Sequence, residues 1–203
     1  RPRRGGGAGV VRLLDQEGRR RLRRRGNPPL TAAASPAPWV IRPWRTGDDL
    51  FALILPIQQQ EFAIPVTAAD QPDLADIDGF YRRGKGEFWV AAIDDGPTGG
   101  RIVGSVALLD LSAAPGGAGL GVIRKMFVAA DQRGSGLAQS LLDALFDHAR
   151  SAGLTELWLG TTEKFRAAHR FYERNGFAVV EPADLPAAFP RMAVDTRFYR
   201  LDL

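Results

Sequence analysis

Three observations predict a mixed α/β fold, a single sheet with helices on both faces. Short β-branched or aromatic runs and amphipathic runs with three-to-four-residue apolar spacing follow one another in the order β-α-α-β-β-β-α-β-α-β-β. The 203 residues are 45% hydrophobic, enough for one ordinary core plus an appendage, and no internal repeat breaks the pattern. A glycine-rich loop, Gln132-Arg133-Gly134-Ser135-Gly136-Leu137-Ala138, lies between a strand pattern and a long amphipathic one.

The first strand is read at 39–44, followed by Thr46-Gly47-Asp48-Asp49, which supplies N-cap residues for a helix from Leu50 that ends near Pro56 or restarts beyond it. A polar and acidic connection follows, through Gln58-Gln59-Gln60-Glu61 and Asp70-Gln71-Pro72-Asp73, to a short helix reaching Tyr81. Residues 88–93 and 101–109 read as an antiparallel hairpin around a turn at 94–100. After a loop at 112–121, the run Gly121-Val122-Ile123-Arg124-Lys125-Met126-Phe127-Val128 is strand-like. Leu137, Leu141, Ala144, Leu145 and Ala149 then place a helix up to Gly153, a helix-terminating residue. Strands at 154–159, 177–180 and 196–201, with a helix at 164–175, complete the chain.

Strand, glycine loop and helix in that order build an anion site, because the first amides of the helix point at one place and the helix dipole favours negative charge there. Dinucleotide folds and P-loops share the order, so spacing decides. A GxGxxG fingerprint counted from Gly134 and Gly136 meets Gln139 where its third glycine should stand, and no Gly-Lys-Ser/Thr ending is present. Arg133-x-x-Gly136-x-Ala138 instead resembles the acetyl-CoA pyrophosphate loop of the GNAT N-acyltransferase superfamily. Ala168-His169-Arg170-Phe171-Tyr172-Glu173-Arg174-Asn175-Gly176-Phe177 is similar to that superfamily's Ala-x-x-x-Tyr-x-x-x-Gly-Phe ending, at the expected distance. The resemblance covers roughly residues 39–203, and the stretch 159–177 resembles a subgroup sometimes fused to winged-helix regulators. It implies a mostly antiparallel GNAT-like sheet and an acetyl-CoA-dependent N-acetyltransferase that works in a ternary complex without a metal. It is also compatible with a homodimer.

Composition narrows the class. The chain has no cysteine, which excludes disulfides, thiolate metal sites and a cysteine nucleophile and is compatible with a cytoplasmic location. No apolar run approaches bilayer-spanning length, so no membrane partner is expected. The basic balance is local. Residues 1–38 hold ten arginines against Asp15 and Glu17, leaving 17 basic against 21 acidic residues in 39–203. The Arg-rich segment buries too little apolar surface to offset its ordering entropy and is expected to be a disordered extension. The acidic remainder gives no reason to expect nucleic acid on the folded domain.

The reaction needs a base, since about 0.1% of an alkylamine with a pKa near 10 is unprotonated near pH 7. By resemblance, Tyr172 is the acid that protonates the departing thiolate. The backbone at Met126, Phe127 and Val128 pairs with the pantetheine arm and polarises the thioester carbonyl. Arg133, Gly134, Ser135, Gly136, Leu137 and Ala138 hold the pyrophosphate. Relatives often carry a glutamate on the strand that here bears Arg124 and Lys125, and an asparagine where this chain has Phe165. Glu61 is therefore the first candidate base and a candidate substrate contact, with Glu163 and His169 behind it. Arg124 suggests an acceptor with a carboxylate, whereas the acidic stretch 70–78 suggests a cationic one; the two cues conflict. A non-catalytic acyl-CoA sensor is the alternative from another functional class.

Overall fold

The computed structural model describes residues 39–96 and 99–203. The Arg-rich segment 1–38 and residues 97–98 of the hairpin turn lie outside the described residues. Seven strands form one sheet: β1 (Val40–Pro43), β2 (Glu87–Gly96), β3 (Gly99–Asp110), β4 (Leu120–Val128), β5 (Glu156–Thr161), β6 (Ala178–Val180) and β7 (Arg197–Asp202). Their spatial order is β1-β2-β3-β4-β5-β7-β6. Every neighbouring pair is antiparallel except β4 and β5.

Side-chain alternation assigns the two faces. Along β2, Phe88, Val90 and Ala92 pack with Leu50, Leu53 and Ile54 of helix α1 (Leu50–Pro56). Trp89 and Ala91 point the other way, into a cluster with α4 (Leu137–Ser151). Two short helices, α2 (Pro72–Ala75) and α3 (Ile77–Phe80), extend the α1 side, while α5 (Arg166–Arg174) joins the α4 side through Tyr172. Helices therefore cover both faces, as the sequence predicts. In α4 the residues Leu137, Leu141, Leu142, Leu145, Phe146 and Ala149 are buried; each large apolar side chain so buried contributes about 1.5–3 kcal/mol.

The hairpin strands run to Gly96 and from Gly99, closer together than the expected turn at 94–100, and the expected short helix is two, α2 and α3; two further boundaries differ from expectation for local reasons. Pro56 has no amide hydrogen, so the α1 ladder loosens there. The chain continues as a wider π-helical turn over Ile57–Glu61, in which the Phe62 amide donates to the Ile57 carbonyl at 3.3 Å. At the far end of α4, which stops at Ser151, the Leu154 amide still donates back to the Ala149 carbonyl (2.9 Å) and the Thr155 amide to the Gly119 carbonyl (2.8 Å), so β5 begins only at Glu156.

Candidate functional site

Only the first residues of β4 and β5 pair, Leu120 with Glu156 through Val122 with Trp158. Beyond that the strands diverge, and the edge of β4 facing the gap has no strand partner. A cleft of about 1060 Å³ opens there. Its walls are the far half of β4, the end of β5, the α4 N-terminus, α5 and two loops.

β4 is bulged at the mouth of the gap. Ser105 pairs with Phe127 and Ala107 with Arg124, so three steps on β4 match two on β3. Lys125 takes the extra position at φ +51°, a left-handed conformation that costs a side-chain-bearing residue about 1–2 kcal/mol. What holds it is beneath the sheet. Its carbonyl accepts from Ser105 Oγ (2.7 Å), while its ammonium donates to Gln71 Oε1 (2.8 Å) and pairs with buried Asp73 (3.2 Å). Asp73 also accepts from the Tyr81 hydroxyl. Burial lowers the pKa of Lys125, and the charge of Asp73 opposes that shift. The bulge leaves Arg124, Met126, Phe127 and Val128 lining the cleft.

The glycine loop meets the cleft at the start of α4. Gly136 caps the helix at φ +92°, and a Cβ there would meet nothing within 4 Å, so glycine is required by backbone conformation rather than by space. The first helical bond runs from the Ser140 amide to the Gly136 carbonyl (3.1 Å). The amides of Leu137, Ala138 and Gln139 stand ahead of that ladder and suit an anion. Gly134, Gly136 and Ala138 line the cleft. The Ser135 hydroxyl donates to the Gln132 carbonyl (2.5 Å) and the Leu137 side chain is wholly buried, so these two residues can offer only backbone.

Arg133 lines the cleft too, but its guanidinium is engaged. Nε donates to the Val128 carbonyl (3.0 Å), and the two terminal nitrogens hold both carboxylate oxygens of Glu61 at 2.7 and 3.1 Å. This corrects the expectation for Glu61. The π-helical turn places it outside the residues that line the cleft, and the fork of Arg133 occupies its proton-accepting oxygens.

Tyr172 lies on α5 between Phe171, Phe177 and Tyr199, with ring centroids 5.5–5.9 Å away. It is buried yet lines the cleft, and no acceptor among the described residues takes its hydroxyl proton. Burial pushes its pKa upward, with a smaller contribution from Tyr199, so the phenol stays protonated. Phe165 packs edge-on against Phe62 (4.5 Å) and Phe127 (6.5 Å), forming an aromatic cluster. Beside it, Lys164 donates to the carbonyls of Phe62 and Ala63 (3.0 and 3.1 Å), tying the loop after α1 to the start of α5. The reserve bases fall away: His169 is buried against the Thr162 carbonyl (3.0 Å), and neither it nor Glu163 lines the cleft.

The acidic stretch 70–78 is engaged within the fold. Asp70 accepts from the amide and hydroxyl of Thr67 (2.8 and 2.7 Å), Asp73 holds Lys125, Asp76 caps the Gly79 amide (2.8 Å) and Asp78 pairs with Arg82 (2.9 Å). All four carboxylates are used by the fold itself. Arg124 rests over the Phe80 ring (5.9 Å) and touches the Met192 sulfur (3.0 Å), with no carboxylate partner within 4 Å among the described residues. Opposite, the connection from β6 to β7 brings Asp195 into the cleft wall over Gly160 of β5, a contact with no local signal in the sequence.

The residues that build the split between β4 and β5, the bulged strand, the glycine-capped helix and the tyrosine of this cleft lie within the span matched by a family model. The model for the acetyltransferase (GNAT) family matches residues 51–177, more than half of the chain. The chain belongs to the GNAT family. An acetyltransferase of that family from Staphylococcus aureus Mu50 is 32% identical and superimposes with a TM-score of 0.74, covering 81% of this chain and 98% of that one. N-acetyltransferase family 8 member 2 from Rattus norvegicus is 35% identical over 107 residues, which are 53% of this GNAT chain and 45% of the rat protein. N-acetylaspartate synthetase from Xenopus tropicalis is 32% identical over 138 residues, 63% of this chain and 47% of that relative. The GNAT chain thus spans about half the length of the curated relatives it matches.

Proposed function

We propose that residues 39–203 form an acetyl-CoA-dependent N-acetyltransferase whose acceptor is a primary amine that also carries a carboxylate. The observation that supports it most is the buried Tyr172 hydroxyl, which has no acceptor among the described residues and opens into the same cleft as the bulged β4 edge and the amides at the start of α4. Acetyl-CoA fits the donor set: the amides of Leu137, Ala138 and Gln139 for the pyrophosphate and the unpartnered edge of β4 at residues 126–128 for the pantetheine amides. When bound it supplies an activated acyl carbonyl.

The residues of the chain do the remainder. An amide of the β4 edge donates to the carbonyl oxygen as negative charge builds there. Tyr172, kept protonated by burial, gives its proton to the departing sulfur. Arg124, with no carboxylate within ion-pair distance among the described residues, holds the carboxylate of the acceptor through a two-pronged contact. N-acetylaspartate synthetase, by its name, makes an acetylated amino acid, which agrees with a guanidinium at this place.

Incubation of the intact chain with acetyl-CoA and a panel of amino acids and plain amines, followed by free-thiol and product-mass measurement, tests this function. Thiol release matched by an acetylated amine is the expected result. Cofactor binding with no acetylated product from any member of the panel would favour the sensor function instead.

A further inference from the structure

Among the described residues two carboxylates line the cleft, Asp70 and Asp195. Asp70 accepts two hydrogen bonds from Thr67, which lower its pKa and leave it a poor proton acceptor. Asp195 differs in each respect. Its carboxylate accepts one long bond, from the Met192 amide at 3.3 Å, and has no ion-pair partner within 4 Å among the described residues. It lies flat over β5 at Gly160, where a Cβ would come within 2.3 Å of its Oδ2; only glycine lets the carboxylate reach this position.

The register fixes where that position is. Val122 and Trp158 are the last paired residues of β4 and β5. Arg124 and Gly160 each stand two residues beyond, one on either arm of the split, so Asp195 and Arg124 face each other across its mouth. A carboxylate and a guanidinium so placed match the ammonium and carboxylate of one α-amino acid. Resting on the transferase function proposed above, we infer that Asp195 binds the acceptor ammonium and is the base that deprotonates it.

The protons balance. The ammonium gives one proton to the Asp195 carboxylate, and the freed nitrogen lone pair forms the new C–N bond as the C–S bond breaks. Tyr172 protonates the sulfur, the second nitrogen proton restores the tyrosine through solvent, and Asp195 releases its proton to solvent. The net products are the amide, the thiol and one proton.

Burial raises the pKa of Asp195, while Arg124 from β4 and Arg191 from its own loop pull it down. Among the described residues these are the charges that act on it. The raised value brings the carboxylate closer to working pH, where a base is most effective. Activity requires the ionised form, so it is lost as pH falls through that raised value.

The test compares the intact chain with Asp195→Asn and Asp195→Glu, using L-aspartate, L-phenylalanine and phenethylamine as acceptors. Asparagine should lower kcat/KM for the amino acids by about 10²-fold or more, abolish the acid limb of the pH profile and let the rate climb with pH as the free amine accumulates. Glutamate should restore part of the rate. Affinity for acetyl-CoA should be unchanged, and thermal stability unchanged or higher, because the buried charge is gone. A rate within about threefold of wild type, well below the 10²–10⁴ effect of a positioned base, would overturn the inference while leaving the transferase function standing, as would an unchanged acid limb. Absence of thiol release by the wild-type chain with every acceptor would overturn both.

Discussion

The two arms of the split sheet are built on different principles. On the β4 side the recognising groups are backbone: the bulged strand edge and the amides before the first bond of α4. On the β5 side the proposed acceptor contact is a side chain, Asp195, which a loop brings over Gly160 to face Arg124 of the bulged β4 across the split. A backbone site must be written as conformation, and conformation leaves spacing in a sequence: glycines where φ is positive, then a helical apolar period. A side-chain site needs no local pattern. It can change its acceptor by a single substitution while the other arm keeps its cofactor.

The largest effect that could break this comparison is on the proposed proton donor, Tyr172. Tyr172→Phe should lower kcat by about 10²–10⁴ while leaving the acetyl-CoA dissociation constant unchanged; equal losses in binding and turnover would mean that the ring is needed for packing alone. Next comes the acceptor arm. Arg124→Gln should raise KM for L-phenylalanine by about 10–100-fold, the equivalent of one charge-assisted contact, with phenethylamine unaffected in steady-state assays. A uniform loss on both acceptors would remove carboxylate recognition from Arg124.

On the cofactor arm, Gly136→Ala should weaken acetyl-CoA binding by about tenfold, because a Cβ at φ +92° costs about 1–2 kcal/mol in the conformation that presents the amides. Calorimetry reads this directly, and kcat at saturating acetyl-CoA should hold. Glu61→Gln should be the smallest change. A half-exposed ion pair contributes about 0–1 kcal/mol, so the acetyl-CoA affinity should move by no more than a few fold, and the pH profile of kcat/KM should keep its acid limb. Collapse of that limb would return Glu61 to the role of base.

What was legible in the sequence follows the same division. The strand and helix order, the glycine-capped start of α4 and the position of Tyr172 carry periodicity or spacing, and the structure places them within a residue or two of expectation. The end of α1 was half legible, since Pro56 announces a break but does not say that a π-helical turn follows. The surroundings of Glu61 were not legible, for a physical reason. Glu61 lies near Arg133 only because the π-helical turn swings it there, 72 positions away along the chain, and no local pattern records such a pairing. Asp195 was passed over because its only mark is Gly160, a glycine in a strand whose partner is 35 positions away. The four acids of 70–78 looked like a surface for cations until their hydrogen bonds showed each of them in use.

The central claim, that this cleft holds an acyl-CoA against a backbone anion site, is tested most directly by calorimetric titration of the intact chain with acetyl-CoA and then with dephospho and pantetheine fragments. One saturable site is predicted, with most of the affinity lost when the pyrophosphate is removed and with an affinity that falls as salt rises. No heat of binding at millimolar acetyl-CoA, or binding indifferent to the pyrophosphate, would contradict it.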